Sequence, residues 1–215
     1  MLLSHRYRFI FLKTRKTAGT SVEVDLARYL GPDDVITRIQ PPIPGHEPRN
    51  FRSANPLRRW LKKSYHNHVP GRVVRDLAGR KVYDSYFKFC IEREPVSKCV
   101  SMWRMISAES SFAHFDPTLT WDEYVERGDF PVDEQIYLDH DGSLIVDRVL
   151  RYESLNEELQ SVTGQLGIPF ERLEARAKRA SAVGPAWEVT PAQRQQIYDA
   201  FAPTLRFTAY ADDGG

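Results

Sequence analysis

Residues Tyr7 to Ser21 read YRFIFLKTRKTAGTS. The first six, Tyr7 to Leu12, carry the aromatic and β-branched side chains of a buried strand. Lys13 to Gly19 (KTRKTAG) is a polar turn, and Thr20 to Leu30 continues as a helix that Gly31-Pro32 ends. A strand, a polar loop and a helix in that order place unpaired N–H groups and a positive dipole end where an anion can dock. Lys16 supplies an ammonium, Ala18 and Gly19 let backbone approach a ligand, and Thr17, Thr20 and Ser21 add hydroxyl donors. The plainer alternative is a Thr/Ser-capped helix after a Lys-rich turn.

Further along, the pattern repeats the strand-helix alternation. Helices are expected at Pro70 to Ala78, Pro95 to Ser107, Thr120 to Arg127, Glu134 to Leu138, Glu153 to Leu166 and Thr190 to Phe201. Strands are expected at Tyr86 to Glu92 and within Ser143 to Tyr152. Such alternation predicts an α/β fold, a parallel sheet flanked by helices on both faces. The 215 residues fit a single domain, 1–215. Ile39 to Asn55 holds four of the 14 prolines and no periodicity, so a Pro-rich, basic insertion is expected at about 39–63.

Charge nearly cancels, 30 Lys+Arg against 29 Asp+Glu, which removes any whole-chain reason to expect nucleic-acid binding. It is segregated, however: nine Lys/Arg against Asp76 between Arg49 and Arg80, and thirteen Asp/Glu against three Arg between Asp116 and Glu158. These are either solvated faces that attract each other or, for the basic stretch, the lining of an anion site. Cys90 and Cys99 are too few for a disulfide framework and read as free thiols of a reducing compartment. No run reaches the roughly 18 apolar residues of a membrane helix, and Phe9 to Leu12 is too short for a signal-peptide core. A soluble, cytoplasmic protein without an integral membrane segment is expected. His5, His46, His114 and His140 lack metal-ligand spacing, so no metal is expected.

Walker A order is absent, because Lys16 precedes Gly19 and no earlier glycine exists. Lys16-Thr17-Ala18-Gly19-Thr20-Ser21 instead resembles the 5′-phosphosulfate loop of the sulfotransferases that use 3′-phosphoadenosine 5′-phosphosulfate (PAPS), in the form found in the carbohydrate, heparan sulfate 2-O-type group. Arg93, at a strand end, and Ser101, eight residues on, are similar to that family's grip on the donor's 3′-phosphate. His66-Asn67-His68-Val69 resembles its H-x-H-V element, which supplies the base. The likeness runs from Tyr7 to Ser101, and more loosely through Val149 to Glu153, with Arg151, and the closing Tyr198 and Phe201. It implies a P-loop-like, sulfotransferase-like sheet and a bacterial-type soluble member with PAPS as donor and a hydroxyl acceptor, such as a carbohydrate or small molecule. Lys16 would stabilise the leaving phosphate and His68 would be the base, with His66 the alternative. Arg176 to Arg179 would belong to a late loop. Competing expectations are a P-loop-type small-molecule kinase and a non-catalytic polyanion-binding module. Neither the acceptor nor the oligomeric state is written in the sequence.

Overall fold

The computed structural model describes residues 1–52, 64–175, 188–208 and Tyr210. Five strands, β1 (Leu2–Ser4), β2 (Phe9–Phe11), β3 (Val35–Ile36), β4 (Phe87–Glu92) and β5 (Arg148–Arg151), form one sheet in the order β3-β1-β2-β4-β5. The fold is α/β, but the sheet is mixed, which corrects the expectation of a parallel one. β1 runs antiparallel to both β2 and β3, while β2, β4 and β5 are parallel. The sequence reading missed β1 because Leu2–Ser4 is only three residues long and lies one polar turn from β2. Tertiary bonds secure that hairpin: Asp34 accepts from Ser4 Oγ at 3.0 Å and from the His5 amide at 2.6 Å.

Eight helices lie among the described residues: α1 (Gly19–Ala27), α2 (Gly71–Ala78), α3 (Arg80–Ser85), α4 (Pro95–Ala108), α5 (Trp121–Arg127), α6 (Glu134–Tyr137), α7 (Leu155–Gln165) and α8 (Pro191–Leu205). Their ends follow local chemistry. Thr120 and Thr190 each close a capping box, with Glu123 and Gln193. The Glu94 carboxylate accepts from the Val96 and Ser97 amides ahead of α4. α3 was not foreseen, since six residues after Gly79 show no helical period; Gly79, at φ 83°, turns the chain between α2 and α3.

Side chains alternate across the sheet with the strand period of two. Phe9, Phe11, Phe89 and Ile91 pack with Val22 and Leu26 of α1 and Leu159 and Val162 of α7. Ile10, Leu12 and Cys90 face the opposite way, onto Val74, Tyr83 and Ile136. Helices α4, α5 and α8 close a third apolar cluster around Trp103, Tyr124 and Phe201. Cys90 and Cys99 are both buried thiols. Within the insertion region, an isolated bridge joins Arg49 to Ile36 at the sheet edge and another joins Arg52 to Ser64, and residues 53–63 lie outside the described set.

At Gly71 a Cβ would stand 2.6 Å from the Ile136 carbonyl oxygen and 2.8 Å from Ile145 Cδ1. Gly71→Ala is therefore expected to destabilise by about 1–3 kcal/mol, although alanine favours the helix. A lowered urea midpoint at unchanged m-value checks it; an unaltered midpoint refutes the tight approach.

Candidate functional site

Strands β2 and β4 point their C-terminal ends to one edge of the sheet, and the chain leaves them in opposite directions. From β2 it crosses through α1 to β3, whereas β4 lies on the other side. Open α/β sheets form their ligand crevice at such a reversal. The two loops bordering it are Lys13 to Ala18 and Arg93-Glu94.

The first loop is wound tightly. Lys16 and Ala18 adopt left-handed conformations, φ 60° and 58°, which non-glycine residues seldom take without outside support. Ala18 precedes α1, and no side chain caps that helix; its first bond runs from the Val22 amide to the Ala18 carbonyl. Thr17 faces inward, fully buried, with its hydroxyl 2.8 Å from that of Thr14. Thr14 Oγ1 in turn donates to the Ile91 carbonyl, pinning the loop to β4. Gly19 is needed because the Lys13 stem passes it: a Cβ would come within 2.8 Å of Lys13 Cγ. Thr20 is half-buried and Ser21 is buried. Lys16 Nζ lies 3.3 Å from Met105 Sδ, a weak acceptor.

Arg93 leaves β4 beside this loop. Its Nη1 donates to the Lys16 carbonyl at 3.4 Å, its Nε to Ser97 Oγ at 2.9 Å, and its guanidinium stacks 4.3 Å from the Tyr152 ring. Ser97, Ser101 and Met105 follow at four-residue spacing along α4, so they share a face. Ser101 thus lies between Ser97, which Arg93 touches, and Met105, which Lys16 touches. Sequence reasoning placed Arg93 and Ser101 on one phosphate; Arg93 itself bonds the Ser97 hydroxyl, one turn before Ser101.

His68 is positioned from the strand side. It sits at φ 56°, with Nδ1 3.0 Å from the Lys13 carbonyl oxygen. A carbonyl only accepts, so Nδ1 carries the proton and Nε2 keeps the lone pair. Burial, reinforced by the Lys13 ammonium, lowers its pKa to about 4 against the opposing pull of Asp133. His66 is exposed, and its Nδ1 approaches the Asn67 carbonyl at 2.7 Å. Lys13 itself is ion-paired: its Nζ is 2.8 Å from Glu23 Oε2 and 3.4 Å from Asn67 Oδ1. His46 has a buried side chain 3.8 Å from Glu23.

Beneath the two loops lies a set of charges that sequence reasoning missed. Lys98 Nζ, fully buried, sits 2.5 Å from Glu92 Oε1 and 2.8 Å from Asp133 Oδ2. Asp133 accepts from the Arg15 amide at 2.7 Å and from Arg15 Nε at 2.8 Å. Glu92 accepts from the Arg93 amide at 3.1 Å and from Tyr137 Oη at 2.9 Å. Burial would depress Lys98, yet its two carboxylates hold its pKa above the ordinary lysine value. Burial would likewise raise Asp133, but Lys98 and Arg15 hold it below the carboxylate range. Glu92 is pushed upward by burial and by Asp133. No sequence signal marked Asp133, whose partners lie 35 and 118 residues away.

Elsewhere the segregated charges meet at Arg75 and Asp139, 2.8 Å apart, while Arg49 donates to the Leu30 carbonyl. Glu153 accepts from the Glu94 amide and Tyr210 Oη. Arg151 lies over the Tyr210 ring, and Tyr198 Oη donates to Glu94. Residues 176–187, which include the late basic segment, lie outside the described set. Among the described residues no helix is long and apolar enough to cross a membrane, and no three His, Cys, Asp or Glu group at a metal-binding distance.

Fold and loop together define an α/β protein in which the Lys13-to-Ala18 and Arg93-Glu94 loops meet at the C-terminal ends of β2 and β4. The chain belongs to one family with an archaeal protein of Archaeoglobus fulgidus, itself described only as uncharacterized. The two are 30% identical over 123 residues, spanning 53% of this chain and 93% of the archaeal one. No family profile matches the chain, and no solved structure matches it.

Proposed function

We propose that the protein is a PAPS-dependent sulfotransferase that moves a sulfuryl group to a hydroxyl acceptor, a carbohydrate or small molecule. The observation that carries this is the contact of Arg93 with the Lys16 carbonyl, 3.4 Å. It joins the Lys16-to-Ser21 loop and the Arg93–Ser101 segment, two motifs 77 residues apart in the chain, at a single crevice. Lys16, the amides at the start of α1, and the hydroxyls of Thr20 and Ser21 suit the 5′-phosphosulfate. The Arg93 fork, with Ser97 and Ser101, suits the 3′-phosphate.

In the transfer, the acceptor oxygen bonds to sulfur as the bond from sulfur to the phosphate oxygen breaks, and adenosine 3′,5′-bisphosphate leaves. His68 Nε2 takes the hydroxyl proton. Lys16 exchanges its thioether contact for the oxygen on which charge develops, so its best interaction arises in the transition state. Catalysis by positioning and charge stabilisation needs no covalent intermediate.

Calorimetry tests the donor site. Adenosine 3′,5′-bisphosphate should bind far better than ATP with Mg²⁺; the reverse order would point to a kinase. Arg93→Ala should weaken the 3′-phosphorylated nucleotide by about 2 kcal/mol or more and a nucleotide without that phosphate much less. Equal losses for both would remove Arg93 from the site. Incubating acceptor extracts with ³⁵S-labelled PAPS then identifies the acceptor from the labelled product.

A further inference from the structure

A fully buried lysine between two carboxylates is a costly arrangement, and apolar residues of similar volume often serve stability as well or better. Its retention calls for a geometric reason, and its connections supply one. Arg15, Lys98, Glu92 and Asp133 carry two positive and two negative charges, so the set is neutral. Its ends emerge at the two loops of the crevice. At one end Asp133 grips both the amide and Nε of Arg15, and Val132 O accepts from Arg15 Nη2 at 2.7 Å. At the other, Glu92 accepts the amide of Arg93, whose guanidinium reaches the Lys16 carbonyl. Lys16 thus stands between two residues tied to one buried chain of charges, and it holds a left-handed conformation that the chain alone disfavours.

We propose that Asp133, Lys98 and Glu92 are positioning residues of the crevice: they set the separation of the Arg15 and Arg93 loops and hold the Lys16–Ala18 turn wound before any ligand arrives. None of the three touches the ligand in this arrangement. The identity of the ligand they serve rests on the sulfotransferase proposal, whereas the positioning itself does not. Rigid preorganisation of this kind lowers the ordering cost of binding and keeps donors aimed at developing charge.

Two variants and two readouts test it. Arg15→Gln removes the side-chain part of the first loop's tie, the Nε and Nη2 bonds, and leaves the amide bond to Asp133; the side chain is 34% exposed, so the fold should tolerate the change. Lys98→Met with Glu92→Gln cuts the chain at its centre without orphaning a charge, since Asp133 keeps Arg15 and the new amide can still accept from Tyr137. Hydrogen exchange of the amides at 14–19 should accelerate about 10-fold or more in both, while amides of α7 keep their protection. Affinity for adenosine 3′,5′-bisphosphate should fall about 10-fold in parallel at nearly unchanged melting temperature. Unchanged exchange at 14–19 in Arg15→Gln, or equal acceleration throughout the molecule, overturns the proposal. Should the double variant fail to fold, Arg15→Gln decides alone. If loop exchange rises as expected but the unmodified protein binds neither this nucleotide nor inorganic pyrophosphate, positioning stands and the sulfotransferase assignment falls.

Discussion

His68→Ala should lower kcat by roughly 10²- to 10⁴-fold and leave affinity for adenosine 3′,5′-bisphosphate nearly unchanged if the chain is the proposed sulfotransferase. The reason is the placement of the ring: Nδ1 is committed to the Lys13 carbonyl, so only Nε2 can take a proton, and no donor-binding group depends on it. Lys16→Ala should differ by losing both turnover and donor affinity, because the proposed mechanism has Lys16 meet the donor before and during transfer. The same burial gives a pH signature. With a folded pKa of about 4 against an ordinary value of 6.5, His68 is neutral in the native protein at pH 7. Below pH 6.5 the unfolded chain takes up this proton and the native protein does not, so the stability attributable to His68 is full above pH 6.5 and declines towards pH 4. His68→Gln should remove that part of the acid sensitivity. Normal turnover in His68→Ala with loss in His66→Ala would exchange the two roles; normal turnover in both and in the double variant would place the base elsewhere.

Lys98→Ala should destabilise the protein by about 3–5 kcal/mol, the scale for removing one partner of a buried ion pair. It leaves Glu92 and Asp133 facing each other in the core, with Arg15 the remaining cation. In the unmodified protein Asp133 lies below its unfolded pKa of 3.8, so its contribution is present above that pH and fades as acid titrates the folded carboxylate. The variant instead gains from protonating an orphaned carboxylate. The gap between the two, read from urea midpoints, should therefore narrow as pH falls from 7 towards 4. A gap below about 1 kcal/mol at pH 7 would mean that Lys98 contributes little beyond filling space.

The local signals in this sequence were strong wherever one residue type decided the backbone. Pro70 and Gly79 bracketed α2, Thr120 and Thr190 marked two capped helices, and the apolar run from Phe87 opened the central strand. The loop from Lys16 to Ser21 was legible for the same reason: hydroxyls, a small-residue pair and a lysine sit together within six positions. β1 was not, because three apolar residues carry no period, and its pairing with β3 depends on residues more than thirty positions away. The mixed sheet followed from that one hairpin.

The candidate site divides along the same line. Lys16, Arg93 and His68 could be named from sequence, since each belongs to a short contiguous pattern. Their partners could not. Ser97 meets Arg93 because a helix turn brings the fourth residue round to the strand end. Lys13 fixes the His68 ring with a backbone carbonyl, an atom every residue possesses, so no letter in the sequence announces it. Asp133 looked like one acid among thirteen in an acidic stretch, and Lys98 like one more basic residue on a helix. Sequence alone determined most of the helices, the central strands and the candidate side chains, because propensity, capping and loop chemistry act over a few neighbouring residues. Tertiary structure alone decided strand direction, the tautomer of His68 and the buried pairing of Lys98, because each is set by groups that only the folded sheet brings within a few ångströms.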